Sequence, residues 1–163
     1  MNITLKSVKY NNALSRDSHC FSATVYVDGK KVFGIMDDGW GGDMEPFKVK
    51  GGVEDLWATY KAIDAELKKE PRVQTEKHIE LGLPVLDNCL EFIVCDLVND
   101  FLRDREIKKS LRRITYMVGD EMFEVKLSPT ADNIKRIKAQ KWWDNTNVLL
   151  NGMPIEEVRQ YFN

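Results

Sequence analysis

The sequence predicts an α+β fold: an antiparallel β-meander of three N-terminal strands and a later hairpin, packed on a long central helix and two to three shorter helices. Three observations carry this prediction. Two β-rich runs, residues 20–27 and 31–36, flank Asp28 and Gly29, a pair suited to the two-residue type I′ turn because both of its positions need positive φ. A second pair of alternating runs, residues 113–118 and 122–127, flanks Gly119 and Asp120. Strand and helix signals are also grouped along the chain instead of alternating, which favours antiparallel sheet over βαβ units.

Each element has its own signature. Residues 2–10, NITLKSVKY, place Ile3, Leu5, Val8 and Tyr10 in the imperfect alternation of a half-buried first strand. NNALSRDSH leads into the second strand, CFSATVYV, and KVFGIM returns after the turn. GGVEDLWATYKAIDAELKKE starts a helix, with acids in its first turn and lysines in its last, the order that complements the helix dipole. Leu56, Tyr60, Ile63 and Leu67 form its apolar stripe, and Pro71 stops it. A longer helix is expected from near residue 84 to about residue 111, with Leu86, Leu90, Ile93, Leu97 and Phe101 on one face. Val94, Cys95 and Val98 widen that face, which marks this helix as the central one. After the second hairpin, Pro129 and Asp132 open a third helix with Ile134 and Ile137 inward. Residues 147–150 read as a short strand, and Pro154 begins a last helix carrying Ile155, Val158 and Phe162.

The composition bounds the function. A chain of 163 residues, 43% hydrophobic and 31% charged, is expected to form one globular domain, residues 1–163, with a real core. The net charge of −2 creates no global field that selects nucleic acid or membrane. Its distribution is uneven: 12 basic face 17 acidic residues in 1–100, and 12 face 9 in 101–163. Cys20, Cys89 and Cys95 form no C-x-x-C pair, so no zinc site is expected, and the last two sit in apolar sequence as small hydrophobes. The alternating N-terminal decapeptide is unlike a signal peptide, and no apolar run approaches the roughly 20 residues of a membrane span. The expected setting is reducing and cytoplasmic, with no membrane partner.

Chemistry is sparsely advertised. The stretch IMDDGWGGDMEP, residues 35–46, holds four acids, three glycines and one tryptophan. Its spacing fails the calcium loop D-x-[DN]-x-[DN]-G, leaving only an irregular set of Asp38, Asp43 and Glu45. A phosphate cradle needs glycines running straight into a helix and little negative charge, and neither holds here. The segment reads instead as a glycine-shaped loop presenting Trp40 among acids, a composition suited to a protein contact. Glu124 and Lys126 form an E-x-K triplet on a strand, the pair a magnesium-dependent nuclease would use beside an upstream aspartate. The same residues fit a solvated hairpin face. Lys135, Arg136, Lys138 and Lys141 line a helix just before Trp142 and Trp143, which suits either a partner surface or phosphate contact with base stacking. His19 and Cys20 are adjacent on a strand and point to opposite faces, so they cannot act as base and nucleophile. No nucleophile elbow, dinucleotide fingerprint or zincin motif is present.

Residues 15–42 resemble the opening of a group of small bacteriophage and plasmid proteins. That pattern runs S-x-x-(S/T)-x-C-F, a strand, D-G-K, a return strand, and an acidic or amide residue before G-x-G-G. Ser15, Ser18, Cys20, Phe21, Asp28, Gly29, Asp38, Gly39, Gly41 and Gly42 carry it here. The resemblance implies origin in a mobile element, a location in the cytoplasm of a bacterial host cell, and no particular reaction. Together these readings lead us to expect a non-catalytic accessory protein that binds a host protein and inhibits a bacterial defence system, without cofactor or metal. Asp37, Asp38, Trp40, Asp43 and Glu45, with Lys135, Arg136, Lys138, Trp142 and Trp143, are the expected partner contacts. A second copy of the chain and nucleic acid are the other partners considered; the alternative function is a nucleic-acid-binding protein or a nuclease built on Glu124 and Lys126.

Overall fold

A computed structural model describes residues 1–74 and 76–162. It has the expected α+β class, with antiparallel sheets and a long helix. The chain divides into two compact units, Met1–Val98 and Asn99–Asn163, the boundary falling inside the long helix. Counted over these units, 12 basic and 16 acidic residues give the first a net −4, and 12 basic and 10 acidic give the second +2.

The first unit is built on a four-stranded antiparallel sheet in the order β1-β2-β3-β4. β1 (Ile3–Tyr10) pairs with β2 (Phe21–Val27), and β2 pairs with β3 (Lys30–Asp37) through the Asp28 and Gly29 turn. Positive φ at both turn residues, 48° and 80°, matches the turn the sequence predicts. On edge strand β1 the register slips between Lys6 and Lys9, where Ser7 adopts φ 53°. Such a bulge blunts the edge against pairing with other chains.

Cross-strand register decides what lies inside. Val25 opposes Phe33, Ala23 opposes Ile35 and Phe21 opposes Asp37, so these six share one face. All six are buried, Asp37 included. β4 (Glu45–Phe47) was not foreseen; it lies at the end of the acidic glycine segment and pairs with β3. Three residues with a proline in the middle leave no alternation to read, and an edge strand tolerates that proline.

Helix α1 (Leu56–Leu67) begins one residue after Asp55, whose side chain accepts the Ala58 amide at 3.0 Å as an N-cap. The acids therefore sit before the first turn and Lys68 after the last, not within them. A short helix α2 (Glu76–Glu80), absent from the sequence expectation, follows. Helix α3 (Leu90–Ser110) starts six residues later than expected. The preceding stretch is extended instead: Pro71 bridges Asp87, and the Arg72 amide donates to the Leu86 carbonyl at 3.0 Å. What places the start is tertiary. Asp64 of α1 accepts the Leu90 amide at 2.9 Å and pairs with Lys68 at 2.8 Å, setting a carboxylate on the helix N-terminus. Leu86 thus falls outside the helix and is exposed, as is Phe101, while Leu90, Val94 and Val98 form the fully buried line.

The second unit contains the C-terminal half of α3 and a three-stranded sheet in the order β6-β5-β7. β5 (Ile114–Val118) and β6 (Glu121–Val125) are the predicted hairpin, and β7 (Val148–Leu149) the predicted short strand. α4 (Ala131–Lys138) carries Thr130 as its N-cap, and α5 (Ile155–Val158) runs into a 3₁₀ turn. One sheet face rests on a core of Ile107, Met117, Leu150 and Val158. Thr115 fixes β5: its amide donates to Asn151 Oδ1 at 2.7 Å and its hydroxyl to the Ser110 carbonyl at 2.8 Å. No helix among the described residues is long and apolar enough to cross a membrane.

Candidate binding surfaces

The acidic glycine segment is a pinned loop. Asp37, the last residue of β3, is 8% exposed. Its Oδ1 accepts the Ser18 hydroxyl at 2.7 Å and the Gly39 amide at 2.8 Å. Ser18 Oγ in turn accepts the Gly41 amide at 3.1 Å. The Gly39 carbonyl collects the amides of Arg16, Asp17 and Ser18 at 3.0, 3.1 and 3.4 Å. Ser15 Oγ donates to the Asn11 carbonyl and accepts the Cys20 amide, both at 2.9 Å. The β1–β2 connection and the segment after β3 are thereby knotted together.

Gly39 is required by this knot. It adopts φ 90°, and a Cβ there would enter the van der Waals shell of the Leu14 carbonyl oxygen and lie 2.9 Å from Cys20 Cβ. At the far end, Glu91 of α3 holds the chain by accepting the Met44 amide at 3.3 Å and the Tyr60 hydroxyl at 3.4 Å. Burial, and next the nearby Glu91 carboxylate, push the Tyr60 phenol upward.

What the knot displays is different in kind. Trp40 is 60% exposed, with the Arg16 guanidinium 4.5 Å above its ring. Asp38 accepts the Trp40 amide at 3.0 Å and remains exposed, as do Asp43 and Glu45. Of the five acidic-loop residues expected at a partner surface, four are exposed and Asp37 is buried, holding the loop's shape. Arg16 joins the surface unforeseen; nothing in local sequence links it to a ring 24 residues away. Among the described residues no group of three or more His, Cys, Asp or Glu side chains is arranged to hold a metal ion.

The second surface is aromatic and basic, and lies on the second unit alone. Tyr116 of β5 stacks with its cross-strand neighbour Phe123, centroids 5.7 Å apart and planes 18° from parallel. Trp142 stacks on Tyr116 at 5.4 Å and 25°, and Trp143 tilts against it at 5.3 Å. Trp142 and Phe123 are exposed, Trp143 is half-buried and Tyr116 is buried, its phenol pushed up by burial. Lys135, Arg136, Lys138 and Lys141 are exposed, while Ile134 and Ile137 turn the other way and are half-buried. The structure thus joins Trp142 and Trp143 to Tyr116 and Phe123, a cluster whose strand members sequence spacing alone did not nominate.

In the E-x-K triplet Glu124 is engaged structurally and Lys126 is exposed. Glu124 meets Arg113 at 3.0 Å. The Ser110 hydroxyl and then Arg113 hold its carboxyl below the usual range. No protein-family model matches the chain, and neither a curated protein nor a solved structure is significantly similar to it.

Proposed function

We propose that this chain is a non-catalytic accessory protein of a bacteriophage or other mobile element, which docks on a host protein through the Trp40 loop and inhibits a bacterial defence system. The observation that supports docking is an exposed indole on a loop whose backbone is already fixed by Asp37, Ser18 and Gly39. Preorganisation matters because a loop ordered before binding loses little entropy on association. An exposed aromatic with Arg16 against its ring, on a segment that also exposes Asp38, Asp43 and Glu45, suits an anchor with charges that steer and select the partner. These acids favour a basic target surface. The mobile-element and defence components rest on the resemblance of residues 15–42 and are argued by analogy. The nuclease alternative draws no comparable support, because Arg113 and Ser110 occupy the Glu124 carboxylate.

The test is capture from bacterial lysate, identification of the captured protein, and reconstitution with the purified target. A folded variant carrying Trp40→Ala, Asp38→Lys and Asp43→Lys should lose the complex. Retained binding in that variant would remove the loop from the interface. Light scattering that shows wild type dimerising through the same loop, with nothing captured, would replace the host protein by a second copy of the chain.

A further inference from the structure

We propose that the aromatic and basic face of the second unit binds single-stranded nucleic acid, with bases stacking on Trp142 and Phe123 and phosphates held by Lys135, Arg136, Lys138 and Lys141. The rings form one connected group through Tyr116, whose centroid lies 5.3–5.7 Å from those of Phe123, Trp142 and Trp143. The inner ring, Tyr116, is 7% exposed, yet Phe123 stays 40% exposed and Trp142 49%. A cluster serving only as core would bury its outer rings; this one leaves flat π surface in water.

The platform is held in place. The Trp143 amide donates to the Gln140 carbonyl at 3.0 Å, and the Gln140 side chain donates back to the Arg136 carbonyl at 3.0 Å. The tryptophan turn is therefore tied to the helix that carries the cations. Asp144, which follows the tryptophans, is turned to its own loop by accepting the Thr146 amide at 2.7 Å.

Charge selects the occupant. Among the described residues, Lys135, Arg136, Lys138 and Lys141 form no ion pair, and neither do Arg105, Lys108, Lys109, Arg112 and Lys126 of the same unit; the first four are set apart by lying on α4 and the turn that leads into Trp142. Lys135 and Lys138 are three residues apart on α4, so their side chains leave one face about 5–6 Å from each other. Unpaired cations on the helix that leads into the tryptophan turn, with exposed rings after it, match a polymer that repeats both an anion and a π surface. Single-stranded DNA or RNA offers both at every nucleotide. A duplex hides its base faces in the stack, and a peptide carries no obligatory anion per residue.

The experiment uses the full chain and fluorescence anisotropy of a labelled single strand of about ten nucleotides. Binding should be salt-sensitive, and Lys135→Glu, Arg136→Glu, Lys138→Glu together should flatten the log–log salt slope by about 2, at about 0.7 per lost phosphate contact. Trp142→Ala should weaken binding about tenfold or more, while Trp142→Phe retains most of it. The charge variant and Trp142→Phe keep the test decisive if Trp142→Ala fails to fold. Three results would each overturn the proposal. One is no binding at about 50 mM salt. Another is duplex bound as tightly as single strand with no Trp142 dependence. The third is an acidic peptide of equal length bound as tightly and with the same Trp142 dependence, which would make the face a protein-binding one.

Discussion

Replacing Gly39 by alanine should destabilise the protein by about 2–5 kcal/mol. An L-residue in the left-handed region costs about 1–2 kcal/mol, and Gly39 sits at φ 90°. The added Cβ also displaces the Leu14 carbonyl, and with it the Arg16 and Asp17 amides that reach the Gly39 carbonyl at 3.0 and 3.1 Å. Two such hydrogen bonds are worth about 0.5–1.5 kcal/mol each, net of water. Gly42→Ala is the matched control, since a Cβ there meets nothing within 4 Å and its φ is not left-handed. That change should be neutral or slightly stabilising through the unfolded chain. Urea unfolding measures the contrast: with a slope of about 1–3 kcal/mol per molar, the midpoints should separate by at least about 0.7 M. Amide exchange reports the same event locally, as lost protection at Arg16 and Asp17. Equal midpoints for the two variants, with protection at both amides unchanged, would refute the knot as the loop's organising device.

Three further outcomes follow from the same packing. Asp37→Ala should cost about 2–4 kcal/mol in thermal denaturation, because it leaves Ser18 and Gly39 donors without their acceptor, whereas Asp43→Ala, at an exposed position, should stay within about 0.5 kcal/mol of wild type. Leu90→Ala, at a fully buried site on α3, should cost about 2–5 kcal/mol by chemical denaturation, and a smaller loss would mean that the site collapses around the cavity. Glu124 has a carboxyl held below its ordinary value of 4.5, so its contribution is complete above about pH 4.5 and fades as pH falls through the lower, folded value. The stability gap between wild type and Glu124→Gln should therefore close on acidification below that point; a gap constant with pH would remove the Ser110 and Arg113 contacts as its cause.

Both predicted hairpins were legible because their signals are local: paired β runs and a turn residue tolerant of positive φ. The α3 start was not legible, because the carboxylate that marks it comes from Asp64, 26 residues earlier. The inward face of β3 was partly legible. Phe33, Ile35 and Asp37 alternate, and carrying that period one residue further would have placed Asp37 inside with the other two. Counting it with the exposed acids followed composition instead of register. The basic and aromatic residues of the second surface were visible as a stripe, but Tyr116 and Phe123 join them only through strand pairing and ring packing, which spacing does not encode.

The acidic segment therefore divides by role. Ser15, Ser18, Gly39 and Gly41 are the residues whose hydroxyls, amides and φ angles the knot uses, with Asp37 as its buried acceptor. They build a shape. Arg16 and Trp40, which lie between them in sequence, and Asp43, which follows them, take no such structural part through their side chains and face water. A scaffold of this kind lets the displayed residues vary without loss of the loop, because each substitution at an exposed tip costs little stability. Under the docking proposed above, affinity and target choice would reside in the displayed set alone, so variants at Trp40 and Asp43 should separate binding from folding, while variants at Asp37 and Gly39 cannot.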